Sequence, residues 1–233
     1  MWVLDPRTNE IVEKSVHECG TITFSKDGVH FRTEYSCLHD ARFGTIHFYA
    51  DGRLVRTEYE PFHPDYTNVV FHLPDGTERI EMGERDEAFG TIEHWKHGKL
   101  FCITYTASHV CHGEIETWRD DRHVCTEYAD FHSDHGKVEH YDEYGIQVVR
   151  RSYTANHSEH GRVEHLDPSG RITRIEFTDP HSRSGTACHF ADDEIRLVFA
   201  CTHPQRGQAV FFSLEGEYRK TTYGLDDEVC SVV

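Results

Sequence analysis

A nearly duplicated phrase constrains this chain more than any other feature. "HSDHGKVEHYDEYG" at 132–145 is followed by "HSEHGRVEHLDPSG" at 157–170. The same frame recurs in units that begin at His17, His39, His63, Asp86, His109, His132, His157, His181 and His203, spaced 22 to 25 residues apart. A period of this size marks a stacked array of one supersecondary unit. With 233 residues, 37% of them hydrophobic, the chain suits such an array better than a thick single core.

Each unit reads as a β-hairpin. Two runs of five to seven residues alternate apolar and polar, rich in Ile, Val, Phe, Tyr and Thr. Turn phrases separate them: "KDG", "ADG", "PDG", "KHG", "DEYG", "DPSG" and "LEG". No stretch has helical periodicity of useful length. The pattern predicts an all-β fold of about nine to ten antiparallel 23-residue hairpins in an elongated, twisted sheet that could curl. Residues 1–16 read as an N-terminal capping hairpin, 17–223 as the repeat domain and 224–233 as a tail.

Alignment on the Gly that opens strand one sorts the columns. Two residues on come Ile22, Ile46, Ile92, Ile115, Val138 and Val163; four on come Phe24, Phe48, His94, His140, His165, His189 and Phe211. Side chains alternate along a strand, so these two columns share a face. Strand two ends on an aromatic, including Tyr35, Tyr59, Tyr105, Tyr128 and Tyr153. It carries R-x-E just before that residue, as in Arg32/Glu34 and Arg56/Glu58. The expectation is one face of Arg and Glu, and an opposite face of Ile, Phe, Tyr and His.

"FGTIHFYADGRLVRTEYE" resembles a MORN repeat: a Gly before strand one, an aromatic within it, a "DG" turn and an aromatic closing strand two. "HYDEYG" and "LDPSGRITRIEF" equally resemble the YD-type repeats of Rhs shells. The likeness spans residues 17 to 223. It implies an extended hairpin scaffold used for binding, and MORN arrays also serve beside membranes.

Charge narrows the partners. The net charge of −17 opposes sequence-independent binding to nucleic acid or anionic membrane, both of which reward clustered Lys and Arg. Twenty histidines make that charge sensitive to mild acid, and a pH-responsive assembly is a third reading. Eight cysteines form no C-x-x-C pair, and "MWVLDPRTNE" does not read as a secretion signal, having no basic segment followed by an apolar run. Reduced thiols and a cytoplasmic location are therefore expected. The C-terminal "CSVV" matches a PDZ-type S-x-V ending and places Cys230 where a prenylated cysteine would stand; chance accounts for either.

The histidines are the candidates for chemistry. His109/His112, His132/His135 and His157/His160 form three H-x-x-H-G phrases, and imidazole is a common ligand for zinc and similar divalent metals. Within the strands, His94, His140, His165 and His189 replace Phe. They are the candidate acid–base residues. His135, His140, His160 and His165 are the candidate metal ligands, and Tyr105, Tyr128 and Tyr153 the aromatics expected beside them. Equivalent positions in successive hairpins lie about 9.5 Å apart, near the limit of two imidazoles sharing one ion. No phosphate-cradling glycine loop is present. The leading expectation is a repeat scaffold that mediates protein interaction or self-association through a His/aromatic face. The alternative is a small-ligand protein or metal-dependent enzyme using the central histidines on a concave face.

Overall fold

A computed structural model describes residues 1–17, 19–192, 194–199, 203–206 and 208–223. The tail 224–233 with Cys230 and the S-x-V ending, the repeat glycine Gly207 and Cys201 lie outside the described residues. The fold is all-β, antiparallel hairpin following hairpin, with no helix long and apolar enough to cross a membrane among the described residues. The chain forms two compact units, Met1–His112 and Gly113–Val233.

The first unit contains β1 (Trp2–Asp5), β2 (Glu10–Val16), β3 (Thr21–Lys26), β4 (Val29–Tyr35), β5 (Thr45–Ala50), β6 (Arg53–Tyr59), β7 (Val69–His72), β8 (Thr77–Glu81), β9 (Thr91–Lys96) and β10 (Lys99–Tyr105). The second contains β11 (Glu114–Arg119), β12 (Arg122–Tyr128), β13 (Lys137–Tyr141), β14 (Val148–Tyr153), β15 (Arg162–Leu166), β16 (Ile172–Phe177), β17 (Thr186–Phe190), β18 (Ile195–Phe199), β19 (Gln208–Phe212) and β20 (Tyr218–Tyr223). Within each unit every strand pairs antiparallel with its neighbours in sequence.

The two-residue hairpin turns follow from residue chemistry. Asp27-Gly28, Asp51-Gly52, His97-Gly98 and Asp120-Asp121 all have positive φ at both positions. That is the turn whose twist matches a right-handed hairpin, and Asp and Gly tolerate it best. The repeat glycine has a different task. Gly161 has φ +87°, and a Cβ there would stand 2.4 Å from the Thr178 carbonyl oxygen of the next unit's loop. Glycine best tolerates this φ and this approach, although Thr67 takes the equivalent position in the third repeat at φ +84°.

Seven of the hairpins carry a one-residue bulge, and it corrects the expected faces. Phe24 pairs with Arg32 while Ser25 pairs with His30, so Phe31 is the extra residue. The same skip falls at Val55, Phe101, Val124, Val149, Thr173 and Arg219. An unbulged two-residue turn would place Phe24 opposite Phe31, with Thr33 and Tyr35 on its face. One inserted residue moves the rest of strand two to the other side. Ile22 is therefore opposite Glu34, and Phe24 opposite Arg32. The Ile and Phe/His columns share their face with Arg and Glu. Tyr105, Tyr128 and Tyr153 lie on the opposite face.

On the first face aromatics and cations alternate from strand to strand. In the first unit the row runs Lys14, Phe24, Arg32, Phe48, Arg56, Phe71, Arg79, His94. The Arg32 guanidinium lies 3.8 Å from the Phe24 ring centre and that of Arg56 4.1 Å from Phe48. Such contacts contribute roughly 0.5–2 kcal/mol, more as they are desolvated. The β1–β2 hairpin lies across this face. Asp5 on β1 reaches Arg32 on β4 at 2.6 Å, and Arg7 reaches Glu58 on β6 at 2.7 Å. Val12, Asp5 and Arg32 are almost wholly buried, at 0%, 0% and 1% exposure. In the second unit Ala187, Val198 and Ala209 form a small core against Phe211.

Burial works to raise the Asp5 carboxyl, but hydrogen bonds from Arg32, the Arg7 backbone N–H and Thr8 outweigh it and hold the group below its usual range. Removing one partner strands the other as a buried charge. We expect Arg32→Ala to cost ~3–5 kcal/mol in urea unfolding. By contrast Arg171→Ala, which removes exposed pairs to Asp167 and Asp192, should cost less than ~1 kcal/mol. Equal losses would contradict this account of the N-terminal hairpin.

Candidate functional site

The H-x-x-H phrases are turns. The N–H of His112 bonds the His109 carbonyl, that of His135 the His132 carbonyl, and that of His160 the His157 carbonyl, each at 3.1 Å. The leading His of the turn then does two jobs. Its Nδ1 accepts a hydrogen bond from the backbone N–H two residues on, at 3.0–3.1 Å for His63, His109, His132, His157, His181 and His203. Its ring packs on the aromatic that ends the preceding strand. The centroid distances are 4.5 Å for Tyr59–His63, Tyr105–His109 and Phe177–His181, 4.6 Å for Tyr128–His132 and Tyr153–His157, and 4.8 Å for Phe199–His203. Accepting through Nδ1 assigns the proton of the neutral ring to Nε2. Asp40 and Asp86 make the same backbone bond where their units lack this His arrangement. An imidazole here acts as a turn cap with an aromatic plate attached.

This places Tyr105, Tyr128 and Tyr153 against loop histidines, away from the face of His94, His140, His165 and His189. Burial pushes the Tyr128 phenol up, and the neighbouring Glu139, which accepts its hydrogen bond at 3.1 Å, adds to that. His135 faces Asp130 at 3.1 Å beside an open cavity of about 280 Å³ that Tyr128 and Lys137 also line. His160 is half-buried in its loop.

The strand histidines alternate with arginines. Across the second unit the ladder reads His140, Arg150, His165, Arg174, His189, Arg196. His140 Nε2 lies 3.4 Å from the Ser152 hydroxyl, and His165 Nε2 lies 2.9 Å from Glu176. In the first unit His94 Nε2 lies 3.4 Å from the Thr104 hydroxyl. The two rings proposed to share a metal, His140 and His165, are thus separated by a whole strand, and a guanidinium occupies the position between them. Among the described residues no group of three or more His, Cys, Asp or Glu is arranged to hold a metal ion.

Burial, aided by Arg150, lowers the His140 pKa against an opposing pull from Glu127. Burial and Arg79 lower that of His94. A second set of histidines, on the tyrosine face of the first unit, escaped the column analysis because each stands at a different repeat position. His30 and His72 each place Nε2 3.0 Å from a threonine hydroxyl, Thr33 and Thr57. His47 packs edge-on against Tyr35 at 5.0 Å, and burial, then His72 and Arg42, lower its pKa.

Large apolar residues stand out in solvent in the N-terminal hairpin, at several hairpin turns and at some repeat boundaries. In the first unit Leu38 and Phe62, each directly before the boundary His, are 77% and 61% exposed, and Val110, directly after one, is 95% exposed. Phe62 stacks on Phe43 at 4.8 Å. Beside them is an open groove of about 520 Å³, lined by Tyr59, Pro61, Tyr66 and Phe89 together with Glu58, Glu60, Glu84 and Arg7. In the second unit Phe131 takes the place of Phe62 at 89% exposure.

No family model and no curated protein matches the chain. Among solved structures it is similar to a mutant TCP10 domain of Danio rerio CPAP, at 17% identity over 96% of this chain and 99% of that one, with a TM-score of 0.35. It is also similar to the computationally designed Ika8 protein, at 12% identity over 95% and 85% of the two chains, with a TM-score of 0.19. At those scores neither likeness bears on function.

Two predictions follow from the histidine geometry. The unfolded histidine titrates near a pKa of about 6.5, and the folded values of His94, His140 and His47 lie lower. Folding is therefore favoured at full strength above about pH 6.5 and loses that advantage as pH falls through the folded values. His140→Phe, which copies the outer repeats, should narrow the drop in melting temperature between about pH 7.5 and about pH 5.5; an unchanged drop would refute the assignment. For the turn cap, His157→Ala should cost ~1–3 kcal/mol, the sum of one hydrogen bond and one ring contact. His157→Asn keeps an acceptor and should lose less, as read by urea unfolding.

Proposed function

We propose that the chain is a repeat scaffold that mediates protein interaction through its repeat boundaries and its exposed sheet faces. One observation carries this reading: Phe62 in the first unit and Phe131 in the second stand in solvent directly before the capping His of their repeats. A large apolar residue at one exposed position is ordinary. A phenylalanine exposed at that position in both units, in the first beside an aromatic-lined groove, fits a surface that a partner covers. Phe62 packs one side on Phe43 and leaves the rest of its ring in solvent.

The resemblance to MORN and YD-type repeats supports the same reading, since such arrays are binding scaffolds. The partner is a protein or a second copy of this chain. The groove supplies rings for packing and carboxylates at the rim. A rim of this kind sets specificity more than affinity.

Phe62→Ser with Phe89→Ser tests the proposal. Crosslinking mass spectrometry and sedimentation velocity on the wild-type chain should show contacts at the 60–90 loops, either to a partner or between copies. The double variant should lose those contacts while its melting temperature stays within a few degrees. Unchanged contacts in a folded variant would overturn the assignment of this edge.

A further inference from the structure

The repeat writes R-x-E in strand two, and the pattern is structural. Arg32 pairs with Glu34 at 3.1 Å, Arg56 with Glu58 at 3.0 Å, Arg174 with Glu176 at 2.9 Å, and Arg79 with Glu81. At β14 the phrase becomes R-x-S, with Arg150 and Ser152. Arg150 is exposed, and among the described residues no carboxylate pairs with it. In a chain of net charge −17, this is an arginine from which the built-in counter-ion has been removed.

Its polar neighbours on this face can donate, His165 through Nδ1 in the protonated ring because its Nε2 already meets Glu176. His140 and His165 flank Arg150 on the two adjacent strands, and Ser152 lies on the same face two residues along. Val138 and Val163 flank Ser152 and lower the local polarity. We propose that His140, Arg150, Ser152 and His165 form a binding site for the dianion of a phosphate monoester.

The first unit supplies a precedent for the geometry. Arg32 is the equivalent of Arg150, and it receives an oxyanion from outside its own hairpin, the Asp5 carboxylate at 2.6 Å. A carboxylate has two oxygens, whereas the Arg150 site offers a guanidinium fork, two imidazoles and a hydroxyl. Three phosphate oxygens use that set more fully. The outer strands lie about 9.6 Å apart. That is near the limit for two rings sharing one metal ion, and it leaves room for a tetrahedral anion over the guanidinium. Glu127 pairs with Val138 and Glu176 with Val163, so the carboxylates lie on β12 and β16, away from Arg150.

The site belongs to the sheet face of the scaffold reading, and only the peptide arm of its test rests on that reading. The ring signals of His140 and His165 are followed by NMR while the full chain is titrated with inorganic phosphate. A phosphoserine peptide and its unphosphorylated twin follow. Saturable shifts at both rings are expected with phosphate. Arg150→Gln and Ser152→Glu should each weaken binding at least about tenfold, whereas Arg174→Gln should stay within about twofold. Ser152→Glu restores the ion pair of the other repeats, so loss of binding there does not reflect unfolding. Tighter binding of the phosphopeptide than of phosphate would identify a phosphorylated protein segment as the source. Equal affinity would identify a free phosphate ester. Absence of saturation with either phosphate or phosphopeptide, or wild-type binding by Ser152→Glu, would overturn the proposal. Phosphate binding that survives in the Phe62/Phe89 variant would separate this site from the loop edge.

Discussion

The extra residue near the start of strand two sets the character of both faces. A bulge reverses the in-out parity of everything beyond it. Without it, Phe24 would face Phe31 and the strands would divide into an apolar side and a charged side. With it, Phe24 and Phe48 stand opposite guanidiniums, and Ile22 and Ile46 opposite glutamates. The result is an alternation of π faces and cations along the ladder. It uses the long aliphatic stems of Arg as packing material while the charged heads find carboxylates. The β17–β18 hairpin reaches the same Arg-opposite-His pairing without a bulge, through a four-residue loop.

Three groups of histidines stand apart by their surroundings. Those at the repeat boundaries are caps, held by a backbone N–H and an aromatic ring. His30 and His72 on the tyrosine face are hydrogen-bonded to threonines. His140, His165 and His189 sit among arginines. A metal site needs electron-pair donors that converge without a competing cation, and that third row alternates donor with cation. The same alternation suits an anion wherever the paired glutamate is missing, as at Ser152. One substitution in the repeat phrase thus changes a self-neutralised surface into a local positive centre.

Much of this was legible in the residues. The period, the hairpins, the turn types and the boundary glycines follow from local chemistry, because Gly and Asp tolerate positive φ and β-branched and aromatic residues suit a pleated strand. The column of His140 and His165 was also legible. The side on which Tyr105, Tyr128 and Tyr153 would lie was not. Parity within one strand is a local property, but parity between strands depends on how many residues the turn and bulge consume. The R-x-E phrase gave no sign that the residue before its Arg would be squeezed out of register.

By itself the sequence determined an all-β array of 23-residue antiparallel hairpins, the positions of its turns and the repeat positions at which histidine replaces phenylalanine. Those features depend on contacts between residues close along the chain. Tertiary structure decided that arginine would share a face with those histidines and that the N-terminal hairpin would bury Asp5 on Arg32. Each of these requires atoms from separate strands or loops to meet, and the register that brings them together is set by backbone geometry that residue identities only partly encode.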